Sequence, residues 1–355
     1  MKTILLFDYY MPIAHKKLNQ SIVTILSKEY KLIVLTKNGY IRTRLHNVRS
    51  IKLPLFDAAT FKNKYVRLLL FIINFIIARI SIIGKKFDKV IVLTYETLSM
   101  GYLYKLLPDK PICLFEHYNV DSISKERTKN IFLRYANTVS HFVFAPYIGD
   151  YLVSIGIDRN RVHYVPHPIF TTVCDSKEFN KSNSKIVLSP GLSNDTGLLN
   201  KIVEYENKNH VLENHNIILR YRVKQHNQCE IPPCIELVSG FYSEIEYEQL
   251  YNSSDAIMVV YPESYRYRFS SVLLNALTKN KVVIGNDIEI IRYFSNLYPN
   301  NVKLFSSIEE LFLLITSDLN FDKKQGECFV RDFSDNSILS SMQKFIELEQ
   351  IENGD

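Results

Sequence analysis

Residues 261–287 read YPESYRYRFSSVLLNALTKNKVVIGND. An apolar run ending at Val260 precedes them, and a second apolar run, Val282–Ile284, closes them. Between the two lie a polar loop with Pro262, Glu263, Arg266 and Arg268, and a helix-length stretch opening at Ser270-Ser271. Strand, loop, helix and strand in that order predict one repeat of a parallel α/β sheet. The loop–helix junction carries the chemistry. A helix N-terminus presents unpaired N–H groups and the positive end of the dipole, so it suits an anion. Two arginines and two hydroxyls there form a candidate seat for a phosphate or diphosphate, which points to a nucleotide-linked ligand.

The same alternation extends in both directions. Upstream, candidate strands are Ile4–Phe7, Leu32–Leu35, Ser50–Leu53, Val90–Leu93, Ile112–Phe115, Phe142–Phe144 and Val162–Val165. Helical stretches such as Lys16–Lys28 and Tyr147–Ile155 separate them. After Pro166-His167-Pro168 a polar stretch, Thr171–Lys185, interrupts the pattern and reads as a linker. The pattern restarts at Ile186–Leu188 and continues through Ile217–Tyr221, Ile235–Leu237, Ala256–Val260, Val282–Ile284 and Val302–Leu304. Ser243 with Glu246, and Ser307 with Glu310, carry the capping-box spacing. The expected fold is α/β: two Rossmann-like domains, residues 1–168 and 169–335, facing a central cleft. A last helix, about Ser337 to Glu349 within residues 336–355, is expected to pack back on the first domain.

Composition narrows the function. At 355 residues either half can bury its own core, and 46% hydrophobic with 23% charged residues is ordinary for a globular protein. A formal charge of +6 is too small to argue for nucleic acid, and no zinc-finger, RRM-like or arginine-rich signature supports such a partner. It suits anionic phosphates or an anionic membrane surface. Five scattered cysteines, Cys113, Cys174, Cys229, Cys234 and Cys328, lack metal-ligand spacing and fit a reducing cytoplasm. Ile4–Phe7 is too short for the apolar region of a signal peptide. Phe61–Lys86 has two readings: a buried helix of an α/β domain, or a helix whose exposed apolar side and basic flanks (Lys62, Lys64, Arg67, Lys85, Lys86) rest on a membrane.

Three stretches, taken in order, resemble the GT-B glycosyltransferases, most closely the bacterial enzymes that extend cell-surface polysaccharides. They are FAPYIGDYLVSIGIDRNRVHYVPHPI (144–169), SPGLSNDTG (189–197) and GFYSEIEYEQLYNSSDAIMVVYPES (240–264). The sequence also departs from that family. The Arg and Lys that usually grip the donor diphosphate are replaced by Leu192 and Thr196, and two usual glutamates by Tyr267 and Asn275. The glycine pair after the first strand is absent, since residues 8–17 contain no glycine.

The resemblance implies sugar transfer from a nucleotide-sugar to a glycan or lipid-linked acceptor, with no metal or other cofactor. The setting it implies is cytoplasmic, peripheral on the inner face of a bacterial membrane. Candidate donor-binding residues are Arg268, Ser270, Ser271, Arg222, Lys224, Glu263 and Asn275. Candidate bases for the acceptor hydroxyl are His117 and Glu116, at the end of the Ile112–Phe115 strand, and Asp8, at the end of the first. His167 with the Ser270-Ser271 pair resembles the His-Pro and Ser-Ser elements of GT-B sialyltransferases, although linker prolines around His167 favour a structural role. Two rivals are a nucleotide-sugar epimerase on the same fold and a non-catalytic subunit of a polysaccharide assembly complex.

Overall fold

The computed structural model describes residues 1–11, 15–37, 40–41, 45–116, 119–170, 183–224, 230–240 and 242–348. The chain forms two compact units: Met1–Pro168 with Phe333–Asp355, and Ile169–Asp332.

The first unit is built on a parallel sheet of β1 (Thr3–Asp8), β2 (Lys31–Lys37), β3 (Val48–Leu53), β4 (Lys89–Thr94), β5 (Ile112–Glu116), β6 (Ser140–Val143) and β7 (Val162–Tyr164). Their spatial order is β3-β2-β1-β4-β5-β6-β7. Strands β1, β4 and β5 are apolar almost throughout and buried on both faces, the pattern a helix-covered parallel sheet requires. The helix Asp335–Glu347 belongs to this unit. It buries Ile338, Met342, Phe345 and Ile346, and Phe345 meets Phe142 edge-on at 5.6 Å. The Tyr30 hydroxyl donates to Glu347 at 2.9 Å, and Lys2 pairs with the same carboxylate at 3.0 Å. The helix starts two residues before Ser337 because Ser334 is its cap, accepting from the Ser337 amide.

The second unit holds β8 (Lys185–Ser189), β9 (Ile217–Val223), β10 (Ile235–Ser239), β11 (Ala256–Val259), β12 (Val282–Asn286) and β13 (Val302–Phe305), in the order β10-β9-β8-β11-β12-β13. Every pairing recorded in this sheet is parallel. Its core joins Val187, Leu219, Met258 and Ile284 of the strands to Ile202 of the helix Thr196–Asn209 and Leu311 of the helix Ile308–Thr316. Sequence reading ended β9 at Tyr221; the strand continues to Val223, so Arg222 lies within it.

Two local expectations are revised. The Ser243 capping box has both of its hydrogen bonds. At Ser307 only one half forms: Ser307 Oγ accepts from the Glu310 amide at 3.2 Å, while the Glu310 carboxylate takes the Ser306 amide at 2.7 Å. The expected linker lies mostly outside the described residues, at 171–182, and its last residue, Lys185, already belongs to β8.

The helix Lys64–Ser81 is capped by Asn63, whose side chain accepts from Tyr65 and Val66. It buries Phe71, Asn74, Phe75 and Ala78. Asn74 satisfies itself on the backbone: it accepts from the Phe56 amide and donates to the carbonyls of Phe56 and Tyr9. The opposite face is exposed, so the segment is more than a buried helix.

Candidate functional site

In each sheet the strand order reverses beside the first strand, between β1 and β4 and between β8 and β11. Loops leaving the carboxyl ends there diverge and open a crevice, the usual ligand position in open α/β sheets. In the second unit the two diverging loops are 190–195 and 260–270. They are tied together, because the Tyr265 hydroxyl bonds Ser193 Oγ at 2.5 Å.

The 260–270 loop is built from aromatic rings. Asn286, at the end of β12, clamps the Tyr261 backbone with both amide atoms, at 3.0 and 2.9 Å. Tyr265 stacks on Tyr261 with centroids 5.4 Å apart and planes 16° from parallel. The Arg268 guanidinium lies 4.0 Å from the Tyr265 ring centroid, a cation–π contact that fixes a planar charge on an aromatic face. The buried Ser270 caps the helix Ser271–Thr278, accepting from the Leu273 amide at 3.2 Å and sharing a 2.7 Å bond with the Tyr261 hydroxyl. Burial raises the Tyr261 phenol far above its ordinary range, which keeps that proton in place.

The neighbouring loop is arranged differently. The helix Thr196–Asn209 is capped by Asp195, whose carboxylate accepts from the Gly197 and Leu198 amides. An anion approaching that terminus meets a carboxylate, whereas the terminus at Ser270 is capped by a neutral hydroxyl. Asn194 packs directly on Gly191, where a Cβ would stand 2.4 Å from Asn194 Oδ1. Ser189 Oγ and Asn194 Oδ1 are buried with no hydrogen-bond partner among the described residues.

Arg222 is buried at the end of β9. Its Nε and Nη2 donate to the Gly240 carbonyl, its Nη1 donates to the Pro190 carbonyl at 3.3 Å, and its Cζ lies 4.5 Å from the Tyr242 ring centroid. It therefore joins the ends of three adjacent strands. No carboxylate is recorded within ion-pair distance of it among the described residues, so its charge is offset only by carbonyls and a ring face.

The other predicted donor residues fall in mixed places. Ser271 is exposed at the first position of the Ser270-capped helix. Lys224 is exposed just past β9. Glu263 points to Arg266, which pairs with it at 2.8 Å and with Glu289 at 2.8 Å, so Arg266 already has two carboxylates. Asn275 hydrogen-bonds Tyr247, whose hydroxyl continues to Tyr251 at 3.1 Å. That position makes it part of a tyrosine network.

In the first unit, Asp8 sits at its own switch point. Its carboxylate accepts from Thr94 Oγ1 at 2.5 Å, Asn19 at 2.6 Å and the Met11 amide at 2.9 Å. Burial pushes the carboxyl up to about 6, against the pull of these bonds. Met11 adopts φ 50°, in the left-handed region, in the turn after β1. Glu116 has no exposure. It accepts from the Tyr95 hydroxyl at 2.7 Å and from Asn119, and its Oε1 lies 2.7 Å from His141 Nδ1. The geometry is that of a carboxylate fixing its neighbours. His117 lies outside the described residues. His167 is buried, donates from Nδ1 to the Pro168 carbonyl at 2.7 Å, and is held down at about 4 by burial, as a structural imidazole should be.

Sequence reasoning missed Tyr261, Tyr265, Ser193, Ser189 and Asn194. The available signal was the YPESY spacing, which a single 3₁₀ turn over Glu263–Tyr265 converts into a ring stack.

No family model and no curated protein sequence matches the chain. Solved structures do. Sucrose-phosphate synthase from Thermosynechococcus elongatus is similar over 98% of both chains, with TM-score 0.67 and 13% identity. The Anabaena protein HepE, solved with UDP-glucose, is similar over 98% of this chain and 99% of its own, with TM-score 0.60 and 12% identity. A Listeria monocytogenes protein described as a UDP-N-acetylglucosamine 2-epimerase is similar over 100% of this chain and 99% of its own, with TM-score 0.59 and 13% identity. The chain has the fold of the GT-B glycosyltransferases, two parallel-sheet α/β domains. At these identities the likeness speaks to fold alone, and one fold hosts more than one chemistry.

Proposed function

We propose that this chain is a glycosyltransferase that moves a sugar from a nucleotide-sugar to a glycan or lipid-linked acceptor in bacterial surface polysaccharide assembly, at the cytoplasmic face of the membrane. The observation that carries the reading is the cluster at the β8/β11 switch point: Arg268 on the Tyr265 ring, beside a helix terminus capped by neutral Ser270. A diphosphate seated there meets a guanidinium and free helix N–H groups. Arg222 holds the same loops from the β9 side. The HepE structure, with the same fold, holds UDP-glucose and supports a nucleotide-sugar as the donor.

In the reaction, the acceptor oxygen bonds to the anomeric carbon as the bond from that carbon to the diphosphate oxygen breaks. The bonding pair leaves on the nucleoside diphosphate, whose charge Arg268 and the helix terminus stabilise. In an inverting reaction the acceptor proton passes to a base, for which His117 and Asp8 are the candidates; Glu116 holds the strand end before His117. Orientation and charge stabilisation supply most of the rate.

The test is a thermal-shift panel of UDP, GDP, ADP, TDP and CMP on the wild type and Arg268→Ala, followed by donor turnover with and without acceptor. A ligand specific to the folded state stabilises it by about 2.7 kcal/mol at a hundredfold excess over Kd. A shift with one nucleotide, absent in the variant, supports the reading. Epimerisation of a nucleotide-sugar without acceptor, or no binding at all, would sink it in favour of the epimerase or the non-catalytic subunit.

A further inference from the structure

A surface helix ordinarily turns its apolar side inward and its polar side to water. The helix Lys64–Ser81 is apolar on both sides: it buries Phe71, Phe75 and Ala78 and still shows apolar residues to solvent. Its buried face includes an amide, Asn74, satisfied on backbone groups. Its outward face carries Tyr65, Leu69, Ile76 and Ile80 at helical spacing, exposed to 71, 55, 39 and 60%. Ile83 extends the row just past the helix at 68%. Single exposed apolar residues are common; a continuous row on one helix marks a contact surface.

Charge identifies what that surface contacts. Residues 58–87 contain six Lys and Arg and no Asp or Glu. Without those six, the remaining 37 basic residues are matched by 37 acidic ones, so the whole formal excess of +6 resides in this segment. Lys62, Lys64 and Arg67 lie at one end of the helix, and Lys85 and Lys86 beyond the other. No helix among the described residues is long and apolar enough to cross a membrane. A second copy of the chain fits poorly, because a symmetric contact would bring these like charges together.

We infer that this face docks on an anionic lipid bilayer, with the Tyr65–Ile80 row entering the headgroup–acyl boundary and the basic ends meeting lipid phosphates. The inference is independent of the sugar-transfer reading.

Flotation of the full chain with vesicles tests it, using phosphatidylcholine alone and phosphatidylcholine with about 30% phosphatidylglycerol. The wild type is expected to float with the anionic vesicles and to be released by high salt. Leu69→Ser/Ile76→Ser/Ile80→Ser should lower that partition by about tenfold or more, while the variant still unfolds cooperatively on heating. Lys62→Ser/Lys64→Ser/Arg67→Ser should bring anionic binding down toward the level on neutral vesicles. Equal flotation of wild type and the apolar variant overturns the inference, as does failure to bind either vesicle. Self-association abolished by the apolar variant would also overturn it, assigning the face to a second copy.

Discussion

The Tyr265 hydroxyl and Ser193 Oγ meet at 2.5 Å across the point where the second sheet reverses its strand order. This bond pins a loop of the first strand to a loop of the fourth, and Tyr265 carries the Arg268 contact on its ring. A double-mutant cycle with Tyr265→Phe and Ser193→Ala should return a coupling of about 1 kcal/mol in urea unfolding. Nucleotide affinity should fall in either single variant and fall little further in the double. Additive losses would mean that the bond does not organise the loop.

Arg222 is expected to matter for stability before it matters for binding. Removing its side chain leaves the Gly240 and Pro190 carbonyls without their donor and empties the space against Tyr242. Arg222→Ala should destabilise the second unit by about 3 kcal/mol, and Arg222→Lys by less. Urea midpoints measure this; a loss within about 0.5 kcal/mol would show the carbonyls finding water at no cost.

Ser270 and Ser271 separate capping from anion binding. Ser270→Ala removes the helix cap and should cost about 1 kcal/mol. Ser271→Asp places a carboxylate on an exposed first-turn position, where the dipole favours it by about 0.3–1 kcal/mol. The aspartate variant should therefore melt no lower than wild type yet lose the nucleotide-induced shift. Retention of the full shift would move the phosphates elsewhere.

Two buried groups in the first unit give opposing pH dependences. Asp8 has its folded pKa raised to about 6, so the native state holds a proton that the unfolded chain releases, and stability falls as pH rises toward 6. His167 has its folded pKa lowered to about 4, so the unfolded chain binds the extra proton and stability falls as pH drops from about 6.5. Between about pH 4 and 6 the two largely cancel. Asp8→Asn removes one side: its stability relative to wild type should increase with pH by about 1.4 kcal/mol per unit over that window, then level off. A difference independent of pH would show that Asp8 does not titrate there.

Much of the architecture was legible because parallel strands buried on both faces are written as unbroken apolar runs, such as Val90–Leu93 and Val282–Ile284. The candidate site was legible only in part. Ser270 announced itself as a cap, but Arg222 reads like any basic residue beside a strand until the carbonyls of Pro190 and Gly240 are seen around it. Glu116 was hard to read in the opposite way. A carboxylate at a strand end suggests chemistry, yet its partners Tyr95, Asn119 and His141 come from separate stretches of sequence that only the fold assembles.

The return of Asp335–Glu347 to the first unit makes that unit discontinuous, with the second inserted into it. On the ribosome the second unit is complete once Asp332 has emerged. The first must wait for Phe345 and Ile346 of the returning helix before the surface around Phe142 is covered. The second unit can therefore close before the first, whose β6 surface at Phe142 is sealed only when Phe345 arrives.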